Sequence, residues 1–321
     1  MSLPTVSVVV SYYNSARTIG RCVSHLLSQN YPRELARVIL VDGGSTDGSP
    51  EIVRQFDSPN LTQFVLDGCT EAEGQMFGVQ KSDSEVVMFT NSDIYVPPSW
   101  IQQHVERLLG GYDIVGGKVF WGGDKYSFTW NMPTPKGPRF VQREGMGLGF
   151  SNCSVKREVL LKSGGIKNLV SQQDTDFAFR VVRGGGKMIL DPSIEVYHDH
   201  PLKSFKASFY RSYAYARNHV LVMRVVYGRV VVGSGNSAMI TPGSLAKEWL
   251  TINGTRVYFE DSARAAQENI RLSLPEFLFL RLFSTWLPRM LGVFEGMTQR
   301  RVSMASLVNS HSHPALQAGK G

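Results

Sequence analysis

The feature that most constrains the fold of this chain is a series of short apolar runs in its N-terminal third. Val6–Val10 and Val38–Val41 are composed of valine, isoleucine and leucine with a single serine, which is typical of buried parallel strands. Leu61–Leu66 and Val86–Thr90 are two further predicted strands, and residues 16–29 carry apolar residues at helical spacing. Strands that alternate with helices predict an α/β fold in which helices flank a doubly wound, mostly parallel sheet.

The composition indicates the class of protein and the charge of its partners. Hydrophobic residues make up 42% of the 321 residues and charged residues 19%, which supports a packed core and excludes global disorder. A chain of this length suits one large domain with an appendage, or two domains. The net charge of +7 favours an anionic partner such as nucleotide phosphates, a lipid surface or nucleic acid. Cys22, Cys69 and Cys153 are far apart and odd in number, which argues against a disulfide framework or a zinc cluster.

The N-terminal residues do not show the pattern of a targeting segment, because Met1–Pro4 lead directly into the first predicted strand. A run of about eighteen apolar residues does not occur, so the sequence predicts no transmembrane helix. We therefore expect a cytoplasmic protein, or one that lies peripherally at the cytoplasmic face of a membrane.

Polar clusters follow three of the predicted strands, at Ser11–Asn14, Asp42–Asp47 and Asn91–Asp93. Ligands of open parallel sheets bind at the carboxyl ends of the strands. A carboxylate there can accept hydrogen bonds from a base or ribose, or can hold Mg²⁺ or Mn²⁺. A structural interpretation is equally open for Asp42 and Asp47, which would then be turn and helix-cap residues.

A set of motifs extends in order over residues 4–220. They are Val6–Asn14, Ile19–Pro32, Val41–Asp47, Asn91–Asp93 with Val96–Trp100, Gly147–Asn152 with Val155–Arg157, Gln173–Phe177, and Val196–Pro201. Each motif alone is a weak signal, but in this order they resemble the family 2 glycosyltransferases, which use nucleotide-diphospho-sugars. The resemblance implies a GT-A-like catalytic domain over residues 1–225.

The resemblance also implies roles for individual residues. The expected nucleotide-binding residues are Ser11, Tyr13, Asn14, Asp42 and Ser92, with Asp42 at the base or ribose. The expected ligands of a divalent metal, Mn²⁺ or Mg²⁺, are Asp93 and His198, the expected general base is Asp174, and the expected acceptor-side residues are Trp121, Asn152 and Gln173. The implied reaction is direct displacement at the anomeric carbon by an acceptor hydroxyl, with inversion.

Several of these side chains also have a structural interpretation. Asp176 is suitably spaced for an ion pair with Arg180 one helical turn later. Trp121 would pack in the core or stack on an acceptor sugar. Of His198 and His200 we expect at most one to be a ligand, because we place their side chains on opposite faces of an extended segment.

Departures from the family pattern motivate an alternative function. Gly43 replaces an aspartate of the nucleotide loop, Asn91 stands at the first position of the metal motif, and Gln173 replaces the glutamate before the base. The alternative is a catalytically degenerate glycan-binding or scaffold protein of the same fold. A sugar nucleotidyltransferase or a dinucleotide oxidoreductase fits less well, because the first strand is not followed by the glycine-rich loop that each would need. Nucleic-acid binding is not expected, because no binding motif accompanies the charge.

The C-terminal part of the sequence differs from the rest. Pro201–Lys247 contains no acidic residue and interleaves lysine and arginine with phenylalanine and tyrosine. Residues 226–297 are predicted to form a helical region that is apolar on most sides over 274–297. Three interpretations are open: this region lies against a membrane, packs against the catalytic domain or mediates a homodimer. Residues 298–321 are predicted to be a disordered tail. The expected partners are a nucleotide-sugar donor and a glycan or lipid-linked acceptor, such as a surface-glycan precursor.

Overall fold

The computed structural model describes residues 2–131, 137, 139–141, 148–169, 171–227, 267 and 270–299. The strands are β1 (Val6–Tyr12), β2 (Ala36–Asp42), β3 (Leu61–Val65), β4 (Val86–Phe89), β5 (Ile94–Tyr95), β6 (Ile114–Gly122), β7 (Arg139–Val141), β8 (Cys153–Lys156) and β9 (Met188–Asp199). The α-helices are α1 (Ile19–Leu27), α2 (Ser49–Arg54), α3 (Glu71–Gln80), α4 (Trp100–Leu109), α5 (Lys125–Phe128), α6 (Arg157–Lys162), α7 (Gln173–Arg183), α8 (Phe205–Tyr227), α9 (Leu274–Leu280) and α10 (Leu287–Thr298). A π-helical segment, Arg281–Trp286, joins α9 to α10.

The described strands form one sheet in the order β3-β2-β1-β4-β8-β6-β9-β5, and β7 pairs with β9. Strand β1 is parallel to β2 and β4, and β2 is parallel to β3. Strand β8 is antiparallel to β4 and β6, and β7 is antiparallel to β9. The four strands predicted from the sequence form the parallel part, which confirms the expected α/β fold. Because β1, β2 and β4 run in the same direction, the loops that follow them lie at the same end of the strands.

Helices cover both faces of the parallel strands because successive residues of a strand point to opposite faces. Val8 packs in one core cluster with Val23 of α1 and Trp100 of α4. Val9 packs in a second cluster with Val79 of α3 and Phe177 of α7. Complete burial of one such side chain contributes about 1.5–3 kcal/mol, so the two clusters fix the positions of the helices that carry the loops.

Two element assignments differ from the sequence-based ones. A helix is predicted over Val155–Lys162, but α6 begins only at Arg157, because Val155 is part of β8 and pairs with β4. The sequence of residues 116–150 predicts irregular strands and loops, whereas the strand at their start, β6, is regular to Gly122. The remainder of that region includes residues 132–136 and 142–147, which lie outside the described residues. A short apolar run does not by itself distinguish a buried strand from the start of a helix.

Contacts divide the chain into two compact units. The first unit is Met1–Val119, Lys136–Asn168 and Gln173–Tyr197, and the second unit is Phe120–Pro135, Leu169–Gln172 and His198–Gly321. Residues 198–225, which the sequence analysis assigns to the catalytic domain, therefore group with the C-terminal helices. The boundary predicted at residue 225 is the end of the catalytic domain, whereas the two units are defined by compactness alone. The domain boundary therefore stays a prediction.

Within the second unit, α8 packs closely against α10. A Cβ atom at Gly292 would lie only 2.2 Å from the carbonyl oxygen of Tyr213, so glycine permits the close approach of the two helices. The buried Arg281 of the π-helical segment donates hydrogen bonds to the carbonyls of Thr129 (3.0 Å) and Asn131 (2.7 Å). These contacts tie the α9–α10 helix to the segment around α5.

The helical prediction for residues 274–297 is confirmed by the α9–α10 helix. The described residues contain one helix, Leu274–Thr298, whose length and composition would allow it to cross a membrane. It has 25 residues, and its most apolar window has a mean hydropathy of 1.3 and is 39% buried. Arg281 and Arg289 interrupt the apolar residues of this helix, so the sequence has no continuous apolar run there. The core helix of a soluble protein meets the same criteria. Residues 228–266 and the predicted tail beyond Gln299 lie outside the described residues.

Candidate functional site

The loops after β1 and β2 are joined by hydrogen bonds. The backbone NH of Asn14 donates to Oγ of Ser45 (2.9 Å), and its side-chain Oδ1 accepts from the NH of Thr46 (2.9 Å). The NH of Ala16 donates to Oδ2 of Asp47 (2.9 Å). Asn14 has a φ of +46°, a left-handed conformation that asparagine tolerates better than most residues. The two loops therefore form one polar surface in the first unit.

Asp42 and Asp47 both close turns, as the structural interpretation expects. Asp42 ends β2 with a buried side chain whose Oδ1 accepts hydrogen bonds from the NH (3.0 Å) and Oγ (2.6 Å) of Ser45. The described residues donate no hydrogen bond to its Oδ2. Asp47 accepts from the NH of Ser49 (3.1 Å). Although burial alone would raise it, hydrogen bonds from Ser49 and Ala16 hold the pKa of Asp47 below its ordinary value. Both carboxylate oxygens of Asp47 are thus held by hydrogen bonds within the loops, whereas for Asp42 only Oδ1 is.

A third loop, the one after β4, is tied to the same surface. Oγ of Ser92 lies 2.8 Å from Oγ of Ser15, in hydrogen-bond contact. Asn91, the first residue of this loop's polar motif, donates from Nδ2 to Oγ of Ser151 (3.2 Å). Asp93 follows in the half-buried part of the loop, immediately before β5. Three of the predicted nucleotide-binding residues, in three separate loops, are therefore joined at the carboxyl ends of parallel strands.

Ser11 and Tyr13 lie beside this surface in different ways. The Ser11 side chain points at α3, where a Cβ atom at Gly74 would lie 2.2 Å from its Oγ. The Ser11 hydroxyl is also hydrogen-bonded to the thiol of Cys69. Tyr13, by contrast, has a side chain that is 44% exposed. Ser11 thus contributes to packing, while Tyr13 is accessible to a ligand.

Asp174 lies in the first turn of α7. Its Oδ1 accepts a hydrogen bond from the NH of Thr175 (2.7 Å). Burial of the carboxyl group raises the pKa of Asp174 to about 7, and the negative charge of Glu71 adds to the rise, while the Thr175 hydrogen bond opposes it. A carboxyl group of this kind exchanges its proton close to neutral pH, which is the property required of a general base.

Asp176, two residues later, has a structural contact. Its buried carboxylate forms an ion pair with Arg180 (2.8 Å) and lies 3.7 Å from Nζ of Lys167. The sequence interpretation of an Asp176–Arg180 pair is confirmed. Arg180 also donates to the carbonyls of Ser163 and Gly165, so it anchors α7 to the end of α6.

Asn152 is buried, with every hydrogen-bonding atom of its amide in use. Nδ2 donates to the carbonyls of Lys118 and Ile194, both at 2.9 Å. Oδ1 lies 2.8 Å from Nε1 of Trp100 and 3.0 Å from Nε2 of His104. An acceptor sugar could reach the Asn152 amide only by displacing one of these partners. The predicted acceptor-side role of Asn152 is untested, and its contacts are those of a structural residue. Gln173, the other acceptor-side candidate in this unit, is half-buried at the start of α7.

The second unit holds a cluster of rings around His198. The ring centroids of Trp121 and His198 are 4.3 Å apart, and those of His198 and His200 are 5.2 Å apart. The expectation that the two histidines diverge is therefore wrong, since residues two apart on a strand share a face. Arg211 donates a hydrogen bond to Nε2 of His200, and its guanidinium lies 5.9 Å from the Trp121 ring.

Among the described residues, His198 and His200 of the second unit each offer a ring nitrogen to a metal ion, and Asp93 of the first unit offers a carboxylate oxygen. Mn²⁺ accepts imidazole as well as carboxylate ligands, while Mg²⁺ prefers oxygen ligands alone. Sequence reasoning did not anticipate His200 as a ligand. It also missed Arg289, which lies over the ring of Trp130 at 4.7 Å. The only available signal was the abundance of basic and aromatic residues in the C-terminal part.

Comparisons with known proteins place this geometry in context. A sequence model of the family described as "Glycosyl transferase family 2" matches residues 7–163. Glycosyltransferase AglE of Haloferax volcanii is 32% identical over 165 residues, 49% of either chain. An undecaprenyl-phosphate 4-deoxy-4-formamido-L-arabinose transferase of Aeromonas hydrophila is 33% identical over 121 residues, 35% of this chain and 36% of the relative. The chain thus spans about half the length, or less, of these curated relatives.

A solved structure extends the likeness beyond these segments. Mannosyltransferase PcManGT of Pyrobaculum calidifontis, determined in complex with GDP-Man and Mn²⁺, superimposes with a TM-score of 0.63. The match covers 94% of this chain and 89% of that protein at 18% sequence identity. At this identity the comparison concerns the fold, and it confirms the predicted GT-A-like architecture.

Proposed function

We propose that the protein, whose residues 7–163 match the glycosyl transferase family 2 model, transfers a sugar from a nucleotide-diphospho-sugar to an acceptor hydroxyl with inversion. The observation that carries the proposal is the surface made by the loops after β1, β2 and β4. Its hydrogen bonds hold Asn14, Asp42 and Ser92 in place before any ligand arrives. Such preorganisation lowers the entropic cost of binding the nucleotide.

In this proposal Asp93 and His198 bind the divalent cation, with His200 as a further candidate ligand. Their carboxylate and imidazole donors favour Mn²⁺ over Mg²⁺. The cation, when bound, neutralises charge that develops on the leaving nucleoside diphosphate.

Asp174 is the proposed general base. The attacking hydroxyl is a weak nucleophile at neutral pH, and it must lose its proton as the new glycosidic bond forms. The proton passes to the carboxylate of Asp174, whose raised pKa matches this task. The leaving diphosphate needs no proton donor, so a single carboxylate on the acceptor side suffices. Trp121 and Gln173 are the proposed acceptor contacts.

We propose a lipid-linked acceptor that the protein meets at a membrane surface. Large apolar side chains along the helix from α9 to α10 recur every three or four residues and are exposed: Phe279 (56%), Phe283 (38%), Leu287 (37%), Leu291 (47%), Phe294 (69%) and Met297 (57%). The sequence from Pro201 to Lys247 contains no acidic residue, which suits contact with anionic lipid. The arabinose transferase of Aeromonas hydrophila acts, by its name, on undecaprenyl phosphate. A position at the cytoplasmic face is part of this proposal.

Turnover of UDP-, GDP- and dTDP-sugars with and without Mn²⁺ tests the catalytic proposal. We expect metal-dependent hydrolysis of at least one donor, and loss of that activity in Asp174→Ala. Asp83→Asn, a change at an exposed carboxylate, is the matched control and should leave activity unchanged. No turnover of any donor, together with normal glycan binding by Asp174→Ala, would instead favour the scaffold alternative.

Co-sedimentation with phosphatidylcholine vesicles, with and without phosphatidylglycerol, tests the membrane proposal. We expect the double variant Leu291→Ser/Phe294→Ser to lose binding. Val65→Ser, which removes an equally exposed apolar side chain from the first unit, should retain it. If the double variant still sediments with vesicles, the proposed surface is wrong. If instead it converts a dimer to a monomer in analytical ultracentrifugation, the exposed residues mediate self-association.

A further inference from the structure

Two guanidinium groups of the second unit lie against the same indole ring. The guanidinium carbon of Arg289, on α10, is 4.7 Å from the ring centroid of Trp130. That of Arg211, on α8, is 5.8 Å from the same centroid and 5.9 Å from that of Trp121. Each contact with an indole face is favourable, but two positive charges on one ring repel each other. The arrangement therefore concentrates positive charge in a half-buried, aromatic setting.

Arg289 differs from the other arginines on these helices in what it contacts. Arg217 is paired with Glu295 at 2.7 Å, and Arg281 donates to two backbone carbonyls. The Nε atom of Arg289 is buried and has no hydrogen-bond partner among the described residues. No carboxylate within the described residues forms an ion pair with it, and burial lowers the pKa of its guanidinium. A buried charge that no opposite charge balances is destabilising, so Arg289 is suited to bind an anionic ligand.

We propose that Arg211 and Arg289 form a binding site for a phosphate group, with the ring of Trp130 as its wall. Guanidinium groups are suited to this because they donate paired hydrogen bonds to phosphate oxygens. Both arginines lie outside residues 7–163, the part that matches the glycosyl transferase family. In the choice of ligand the inference rests on the proposed function, which offers two phosphate sources: the diphosphate of the donor and the phosphate of a lipid-linked acceptor.

The test measures binding of inorganic pyrophosphate and of dodecyl phosphate by calorimetry, in metal-free buffer below micelle-forming concentrations. We expect the wild-type protein to bind at least one of them, and Arg289→Gln to bind it about tenfold or more weakly, because a charge-assisted contact is lost. Arg289→Lys should restore part of the affinity. Arg217→Gln, which breaks the Arg217–Glu295 pair on the same helices, is the matched control and should bind as the wild type does.

The thermal midpoint without ligand shows that the variants fold and gives a second readout. Arg289→Gln removes a buried charge that no carboxylate of the described residues balances, so its thermal midpoint should stay level or rise, whereas that of Arg217→Gln should stay level or fall. Arg211→Gln is the second variant, and it should weaken the same ligand. The proposal is overturned if neither phosphate compound binds the wild-type protein, or if Arg217→Gln weakens binding as much as Arg289→Gln does.

The two ligands distinguish the phosphate sources. Preference for pyrophosphate assigns the site to the donor, and preference for dodecyl phosphate assigns it to the acceptor. Failure of the proposed function would look different: no nucleotide sugar would be turned over, while phosphate binding that depends on Arg289 would persist. Binding of GDP and UDP to Asp42→Ala tests the nucleotide site of the first unit separately. Its loss would bear on the proposed function and not on the Arg289 site.

Discussion

The two units of this protein satisfy their polar side chains in different ways. In the first unit, Asn14, Asp47 and Ser92 each form a hydrogen bond with a residue of a neighbouring loop. The amide of the buried Asn152 has four hydrogen-bond partners. In the second unit, Arg289 is held against Trp130 with its Nε unpartnered among the described residues. Hydrogen bonds within the protein make a binding site rigid before its ligand binds, whereas a charge without an internal counter-charge is suited to bind a ligand of opposite charge. Asp174 differs from these loop residues of the first unit, since burial raises the pKa of its carboxyl group to about 7.

The largest effect should come from Asp174→Asn. This change keeps the shape of the side chain but removes the proton acceptor, so we expect the turnover rate to fall by about 10²–10⁴-fold. Because the substitution also removes a partly desolvated charge, the thermal midpoint at pH 8 should rise rather than fall. The contrasting variant is Asp176→Asn, which breaks the Asp176–Arg180 ion pair and should lower the midpoint. If Asp174→Asn lowers the midpoint and keeps its activity, Asp174 is a structural residue.

The dependence of the reaction rate on pH should follow the ionisation of the Asp174 carboxyl group. As the base, Asp174 must be deprotonated, so the rate should fall about tenfold per pH unit below a midpoint near pH 7. Stability should change in the opposite direction. Between about pH 4 and pH 7 the folded protein retains a proton that the unfolded chain has lost, so the contribution of Asp174 to stability decreases as the pH rises. In Asp174→Asn this contribution to the pH dependence should be absent from urea titrations at pH 5 and pH 8.

Asn152→Ala should cause the next largest effect, on stability rather than on chemistry. It leaves the carbonyls of Lys118 and Ile194 and the indole NH of Trp100 without their partner, in the interior. We expect the free energy of unfolding to decrease by about 3 kcal/mol or more, measured by urea denaturation. Gln173→Ala, at a half-buried position, should change it by less than about 1 kcal/mol. A stable Asn152→Ala protein that has lost acceptor binding would instead establish the predicted acceptor-side role.

What the sequence predicted well was local. The parallel strands and the Asp176–Arg180 pair follow from periodicities of a few residues, and the order of motifs located the loops that carry Asp42 and Asp93. The arrangement of Trp130, Arg211 and Arg289 has no local signal, because these residues are far apart in the chain and meet only through the packing of α8 on α10. The four partners of Asn152 likewise come from separate elements, so the sequence could not distinguish a buried structural amide from one that faces an acceptor.

The smallest effect concerns the backbone of the first unit. Asn14 has a φ of +46°, a strained left-handed conformation, and its side chain accepts a hydrogen bond from the backbone NH of Thr46. Asn14→Ala and Asn14→Gly both lose that hydrogen bond, but glycine adopts the left-handed conformation freely while alanine does not. We expect Asn14→Ala to be less stable than Asn14→Gly by about 1 kcal/mol, and both to bind a nucleotide sugar more weakly. Equal stability of the two variants would show that the loop relaxes to another conformation. The nucleotide-binding loops of the first unit would then not be preorganised, and the contrast with the second unit would fail.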